Sequence, residues 1–409
     1  MSRAIRVGVI GGGIGGAALA GALLQRGIDV RLFERAPMFG EVGAGVQMTP
    51  NAVKVLRALG LHEGLMRVGF LPQAIVGRNW KTAREAFRTP LIDTCVGMYG
   101  AEFVHVHRAD LHDLLCSMLP PSAVQLGAAC TGVRQDGEKA IAGFADGSEF
   151  EADLIVGCDG VRSVVREQLF GEQAPSFTGH MCWRAVVPVD RHPLPFVSPD
   201  SSFWLGPNGH VVTYYVRGGK AVNIVAVGET ASWVEESWNT PSSREELMAF
   251  YQGWHPNLQE LFGRTENVFK WGLFDRDPMP VWSTGRITLL GDAAHPMLPF
   301  LSQGAAMAIE DGYVLAKALS RHGDDVPAAL SEYELERKPR TSRVQLEARE
   351  RGRTYHLPTP WAQFKRDVAY WWKGLFDPHA SGLQANWVYA YDATRYDENL
   401  AAPAVKTAA

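Results

Sequence analysis

The chain has 409 residues, 46% of them hydrophobic and 21% charged, with a formal net charge of −4. That is the composition of a globular protein long enough for two domains or one large one. A slightly acidic balance without a basic block excludes nucleic acid or an anionic membrane as main partner. The five cysteines are scattered, without CxxC or other metal-ligand spacing, so no metal centre and no disulfide framework is expected. No apolar run is long enough to span a bilayer, and Met-Ser-Arg-Ala-Ile-Arg leads straight into a strand, so a cytoplasmic location is expected.

Residues 5 to 34 are the organising stretch. A β-branched run ends in Gly11-Gly12-Gly13-Ile14-Gly15-Gly16, an Ala/Leu-rich helix follows, and residues 30–33 resume strand character. This βαβ spacing is that of a dinucleotide fingerprint rather than of a plain glycine-rich turn. Gly11 permits the tight turn, Gly13 lets the backbone approach a pyrophosphate, and Gly16 lets the helix sit close to the sheet. The pyrophosphate rests on the helix N-terminus, where free N–H groups favour an anion. Glu34 ends the second strand, positioned to accept from both ribose hydroxyls and to repel a 2′-phosphate, which selects FAD or NAD over NADP; Arg35 follows it.

Residues 35–47 form a glycine loop. It is either a connector or a place where the N–H groups of Gly45, Val46 and Gln47 face a flat cofactor ring. Thr49-Pro50 start a helix. Residues 70 to 104 read as strands leaving the nucleotide domain and returning. A helix then opens at His107-Arg108, and Arg108 either reaches the nucleotide or is a solvated helix-end arginine. Residues 133–150 read as one hairpin through Asp146-Gly147. The buried strand 152–157 enters Asp159-Gly160, with Arg162 and Arg166 on the following helix, a phosphate-side arrangement or a turn with exposed arginines.

From 177 to 228 the pattern is all-β. In the strand beginning at His210, Val211, Thr213 and Tyr215 share one face and Val212, Tyr214 and Val216 the other. Such an inserted sheet forms a layer over the active site, and helix returns over 241–263. The second decisive stretch runs from Gly285 to Asp311. A strand delivers Gly291-Asp292, Pro299 follows in the loop, and a helix begins near Gly304. Asp292 can accept from a ribityl hydroxyl. The helix start at Gly304, Ala305 and Ala306 can set partial positive charge beside the N1/O2 edge of an isoalloxazine. In the tail, Trp361, Phe364, Val368, Trp371, Trp372 and Leu375 share a helical face, expected to pack on the protein's own surface, with a dimer contact as the alternative. The last ten or so residues read as frayed.

Gly11-x-Gly13-x-x-Gly16 with Glu34, Asp159-Gly160 with Arg162 and Arg166, and Gly291-Asp292 with Pro299 and Gly304 stand in the order found in single-component flavoprotein aromatic hydroxylases. Over residues 5 to 345 the chain resembles these class A FAD-dependent monooxygenases. The segments around Phe39, His107-Arg108, His295-Pro-Met-Leu-Pro and Trp387 are most similar to salicylate 1-monooxygenase, 3-hydroxybenzoate 6-hydroxylase and 6-hydroxynicotinate 3-monooxygenase. Two positions depart: Gln47 and Thr213 stand where the hydroxynicotinate and 3-hydroxybenzoate enzymes, respectively, carry histidine.

The resemblance implies an α/β fold: a Rossmann-type (PHBH-like) FAD-binding domain, an inserted antiparallel β-sheet substrate domain, and a helical C-terminal tail. The expected boundaries are 1–75, 100–175 and 270–345 for the FAD domain, 76–99 and 176–269 for the substrate domain, and 346–409 for the tail. It implies FAD as cofactor, NADH as electron donor, and O2 captured as a flavin C4a-hydroperoxide that hydroxylates a small phenolic carboxylate, salicylate-like by first choice. A hydroxypyridine carboxylate, a larger phenolic ring and a non-catalytic flavin redox sensor are the alternatives. Partners are then a small aromatic and O2, in a monomer or homodimer. His295 is the expected ring-activating base, or a loop cap; Tyr215 is the second catalytic and substrate-orienting candidate, or packing. Arg184 is the expected partner of the substrate carboxylate, with Gln47 adding a neutral hydrogen bond.

Overall fold

The computed structural model describes residues 5–40, 44–190, 193–231, 240–376 and 386–400. The opening strand, Arg6–Ile10, lies at the heart of a six-stranded sheet with parallel neighbours Asp29–Glu34 and Leu154–Gly157. Ile287–Leu289 adds on beyond Leu154–Gly157, and Val124–Leu126 beyond Asp29–Glu34. The helix Ile14–Leu24 is almost entirely apolar because it is covered on both sides. Its small residues let helix Gly304–His322 approach closely: a Cβ on Gly312 would stand 2.8 Å from the Leu19 amide nitrogen. The two cofactor motifs, about 290 residues apart in sequence, are thereby packed into one body.

The substrate layer is an eight-stranded sheet. Its order is Thr240–Ser242, Val268–Asp275, Ser176–Pro188, Ala221–Glu229, Gly209–Val216, Ser201–Gly206, Ala74–Asn79 and Glu85–Pro90. Strand alternation divides its two faces. Trp183, Trp204, Val211, Val222, Ile224 and Ala226 form a separate core under helices Arg244–Phe250 and Pro256–Gly263. Cys182, Phe203, Leu205, Val212, Tyr214 and Val227 belong to the main core on the nucleotide side. The Pro-Ser-Ser start of helix Arg244–Phe250 is a true cap, with the Ser243 side chain accepting from the Glu246 amide. A two-stranded ribbon, Gly45–Met48 with Val104–His107, crosses between the layers.

Three local expectations change. Residues 92–99 are helical, Ile92–Tyr99, with Leu91 and Cys95 buried. The expected hairpin at 133–150 is a three-stranded meander, Cys130–Asp136, Lys139–Phe144 and Glu149–Ala152, because Asp136-Gly137 makes a second turn with Gly137 at φ +55°. The tail helix Pro360–Phe376 turns Gln363, Arg366 and Tyr370 inward, whereas Trp361, Phe364, Val368, Trp371 and Trp372 are exposed. The stripe therefore does not pack on the protein's own described surface. The side chain of Leu375 and residues 401–409 lie outside what is described.

Buried charge joins the helices behind the cofactor corner. Arg337 pairs with Glu310 at 2.6 Å and Asp311 at 2.7 Å, and Arg340 reaches Glu310 at 2.8 Å. Burial alone would raise these carboxyls, but the fields of Arg340 and Arg337 hold Glu310 below its ordinary range. Those of His295 and Arg337 do the same for Asp311. Arg340 and Arg343 stack on Tyr391 and Trp387 at 4.0 and 3.8 Å, which seats the tail segment.

Candidate active site

The nucleotide corner follows from its glycines. Gly11 sits at φ +107°, and a Cβ there would lie 2.4 Å from the Cys158 carbonyl oxygen. A Cβ on Gly16 would stand 2.0 Å from the Gly11 carbonyl oxygen. Gly13 meets nothing within 4 Å, so its backbone is open to a ligand. The first helical bond runs from Ala17 N to Gly13 O at 2.9 Å, leaving the N–H groups of Ile14, Gly15 and Gly16 at the helix mouth. Glu34 accepts from Gly12 N at 2.8 Å and Ala36 N at 2.9 Å. A carboxylate has about four acceptor positions, so capacity for the ribose hydroxyls remains. Arg35 is exposed beside it.

At the flavin corner, burial pushes the Asp292 carboxyl up, opposed by the fields of His295, Arg108 and Arg166. Arg108, the first residue of helix Arg108–Cys116, therefore acts on the same site as Asp292. A Cβ on Gly304 would lie 3.8 Å from Asp292 Oδ1, so the helix start and the carboxylate are neighbours. The first bond of that helix is Met307 N to Gln303 O, which leaves the Gly304, Ala305 and Ala306 N–H groups at its open end. Pro299 lies in a short turn just before, ending at Ser302 with φ +54°. A Cβ on Gly15 would touch Leu290 at 2.8 Å and Ala308 at 3.2 Å, so both corners converge. Open N–H groups at two adjoining helix mouths, with a carboxylate at each, fit the two ends of one FAD.

Several expected roles fall elsewhere. Asp159 caps the next helix, accepting from Ser163 Oγ at 2.5 Å and Val165 N at 3.2 Å. Arg166 is buried and donates to the Ala293 carbonyl at 3.0 Å, so it braces the Asp292 loop. The Gly45 amide is spent on Asn223 Oδ1 at 2.6 Å and is not free to face a ring; Val46 follows it, half-buried. His295 is buried, its Nε2 held by Asp311 at 2.5 Å and its ring against Trp282 at 5.2 Å. It stands behind the Asp292 loop in the charge network and not on the sheet face. Tyr215 packs against the far core and donates to the Val197 carbonyl at 3.1 Å. Thr213 shares Tyr215's parity and is absent from the site for the same reason; the site side of that strand carries a histidine at His210.

The sheet face turned to the nucleotide domain holds a different set of polar groups. Arg184, half-buried, stacks on Trp271 at 4.9 Å, and its Nε has no hydrogen-bond partner among the described residues. It lies close enough to Tyr214 to act on its hydroxyl, although burial still raises that hydroxyl well above the ordinary value. Tyr214 stays protonated at neutral pH. Its ring meets His105 at 4.3 Å. His105 is fully buried, and neither ring nitrogen has a hydrogen-bond partner among the described residues. Burial pushes it down to about 3, so it is neutral. Gln47, opposite His105 in the ribbon, donates to Ser201 Oγ at 3.2 Å.

Tyr214, His105 and Asn223 escaped the sequence reading. The Val-His-Val-His alternation at 104–107 did signal two histidines on one strand face. Which face of each strand meets the cofactor is a tertiary fact.

Residues 4–348 match the FAD binding domain family, and the chain belongs to it. It is a FAD-dependent aromatic monooxygenase. It is 42% identical over 388 residues to 3-amino-4-hydroxybenzoate 2-monooxygenase of Streptomyces platensis, covering 95% of this chain and 96% of that one. It is 42% identical over 352 residues to 6-hydroxynicotinate 3-monooxygenase of Pseudomonas fluorescens, covering 84% and 90%. Among solved structures, a salicylate hydroxylase substrate complex superposes with TM-score 0.80 at 30% identity, covering 98% of this chain and 99% of that one. No helix among the described residues is long and apolar enough to cross a membrane.

Proposed function

We propose that this monooxygenase hydroxylates a small aromatic carboxylate whose ring hydroxyl lies para to the acid group, using NADH and O2. Two supports converge. The names of the two relatives at 42% identity specify 3-amino-4-hydroxybenzoate and 6-hydroxynicotinate, both of which place hydroxyl and carboxylate across the ring from each other. The observation that carries the reading is Arg184, with its unpaired buried Nε beside Tyr214 on the face turned to the cofactor domain. A half-buried guanidinium with an unpartnered Nε and no carboxylate paired to it among the described residues suits an anionic ligand.

The Gly11–Gly16 turn and the Asp292–Gly304 corner would hold FAD, which would relay the electrons of NADH to O2 and so activate it for the ring. The protein's own groups do the rest. Arg184 binds the carboxylate and fixes the ring's direction. The Tyr214 hydroxyl, kept protonated by burial, donates to the ring oxygen. His105, fully buried and kept neutral, packs its ring against Tyr214 and fixes the direction of that hydroxyl. Gln47 and Ser201 close one wall. NADH as donor rests on the family resemblance alone, and five free thiols suit a reducing cytosol.

A second reading keeps the salicylate-like order, with acid and hydroxyl adjacent; the salicylate hydroxylase complex favours it. The test is a panel of 3-amino-4-hydroxybenzoate, 4-hydroxybenzoate, 6-hydroxynicotinate and salicylate. Each is scored for stimulated NADH oxidation and for a product that has gained one oxygen, with or without loss of CO2. Para compounds are expected to lead. Stimulation by salicylate alone gives the second reading, and stimulation by none removes both.

A further inference from the structure

Beside the turn that leads into the flavin corner, the margin of the substrate sheet meets the end of the long helix Val326–Tyr355 in a cluster of imidazoles. His180 and Glu229 face each other across neighbouring strands, and His356 is the residue just past the helix. One ligand atom from each of the three lies within 4.8 Å of the others. We propose that His180, Glu229 and His356 bind one divalent cation of the zinc class.

The surroundings orient these donors as a metal site requires. His356 Nε2 meets His210 Nδ1 at 2.7 Å, which fixes the ring and turns Nδ1 toward Glu229 Oε1, 3.9 Å away. That Nδ1 has no hydrogen-bond partner among the described residues, and the side chain is only 1% exposed. His180 Nδ1 is engaged by Thr178 Oγ1 at 3.1 Å, which leaves Nε2 as the ligand nitrogen. Each ligand histidine thus has its other nitrogen held by an outer partner. The rings of His180 and His356 lie 4.9 Å apart, and Phe300 walls them at 5.7 and 5.8 Å. Glu229, with its side chain 46% exposed, supplies the negative charge and the entry side.

Two imidazole nitrogens and one carboxylate oxygen select zinc, nickel or copper over magnesium and calcium, and leave a fourth position for water. A bound ion would tie two strands of the sheet to the helix end. Phe300 belongs to the same turn as Pro299, so the clamp would also brace the flavin corner. The inference rests on the fold and not on the substrate reading.

The experiment is calorimetric titration of chelator-stripped, FAD-loaded protein with zinc chloride, alongside magnesium chloride. One zinc site and no magnesium site are expected, with a zinc-dependent rise in Tm. Glu229→Gln, at an exposed position, and His180→Asn should each weaken zinc at least ~10-fold and abolish the Tm rise. His356→Gln is buried and is not needed. No zinc binding to the parent chain, or unchanged affinity in both variants, overturns the proposal.

Discussion

Replacing Arg184 by Met tests the substrate reading most directly. The guanidinium stacks on Trp271, its Nε lacks a partner, and no carboxylate among the described residues forms an ion pair with it. Removing it strands no buried acid, and the Met side chain keeps contact with the indole. The folded protein should therefore hold its Tm. A hydrogen bond to a charged group contributes about 1.5–3 kcal/mol. At 1.4 kcal/mol per decade, KM for an aromatic carboxylate should rise about 10- to 150-fold. The contact is the same in ground and transition states, so kcat should change little. The assay is steady-state NADH oxidation coupled to product quantification, run with the carboxylate and its neutral carboxamide. The parent should discriminate strongly between them and the variant should not. A KM within ~3-fold of the parent, or an equal loss on the carboxamide, refutes the assignment.

Tyr214→Phe should lower kcat/KM roughly 3- to 12-fold through one lost hydrogen bond, whereas Tyr215→Phe should leave kinetics unchanged; equal kinetic losses in both variants would contradict the facing of this strand. Gly16→Ala must push a methyl against the Gly11 carbonyl, at an expected cost of about 1–3 kcal/mol and with loss of FAD on dialysis, read by flavin fluorescence. Arg337→Met takes one cationic partner from Glu310, which keeps Arg340, and one from Asp311, which keeps His295, and should cost about 3 kcal/mol in denaturant unfolding near neutral pH. Because both carboxyls are held below their ordinary values of 4.5 and 3.8, the network's stability is fully present above about 4.5. It is lost as pH falls through the depressed folded values. The variant's deficit should shrink in that acid window, and a deficit that grows there would refute the charge account.

The cofactor corners were legible because local chemistry dictates them. Gly11 needs its positive φ, Gly16 admits no Cβ, and a helix must begin where Gly304 follows a Pro-rich turn, whatever the rest of the chain does. The eight-stranded layer was legible as alternation, yet alternation defines two faces without saying which one meets the cofactor. That is why the sequence offered Tyr215 while the packed layers turn Tyr214 to the cofactor domain. His295 looked free in a loop, and only the approach of Asp311 and Trp282 showed it committed to the buried network. His105, Arg184 and the cluster at His356 come together from strands and a helix end far apart in sequence. By itself the sequence determined the flavin-binding frame, through backbone needs that a few neighbouring residues satisfy. The tertiary structure decided which side chains of the sheet face the cofactor domain, because the facing of a strand is set by which of its two sides the packed layers bury.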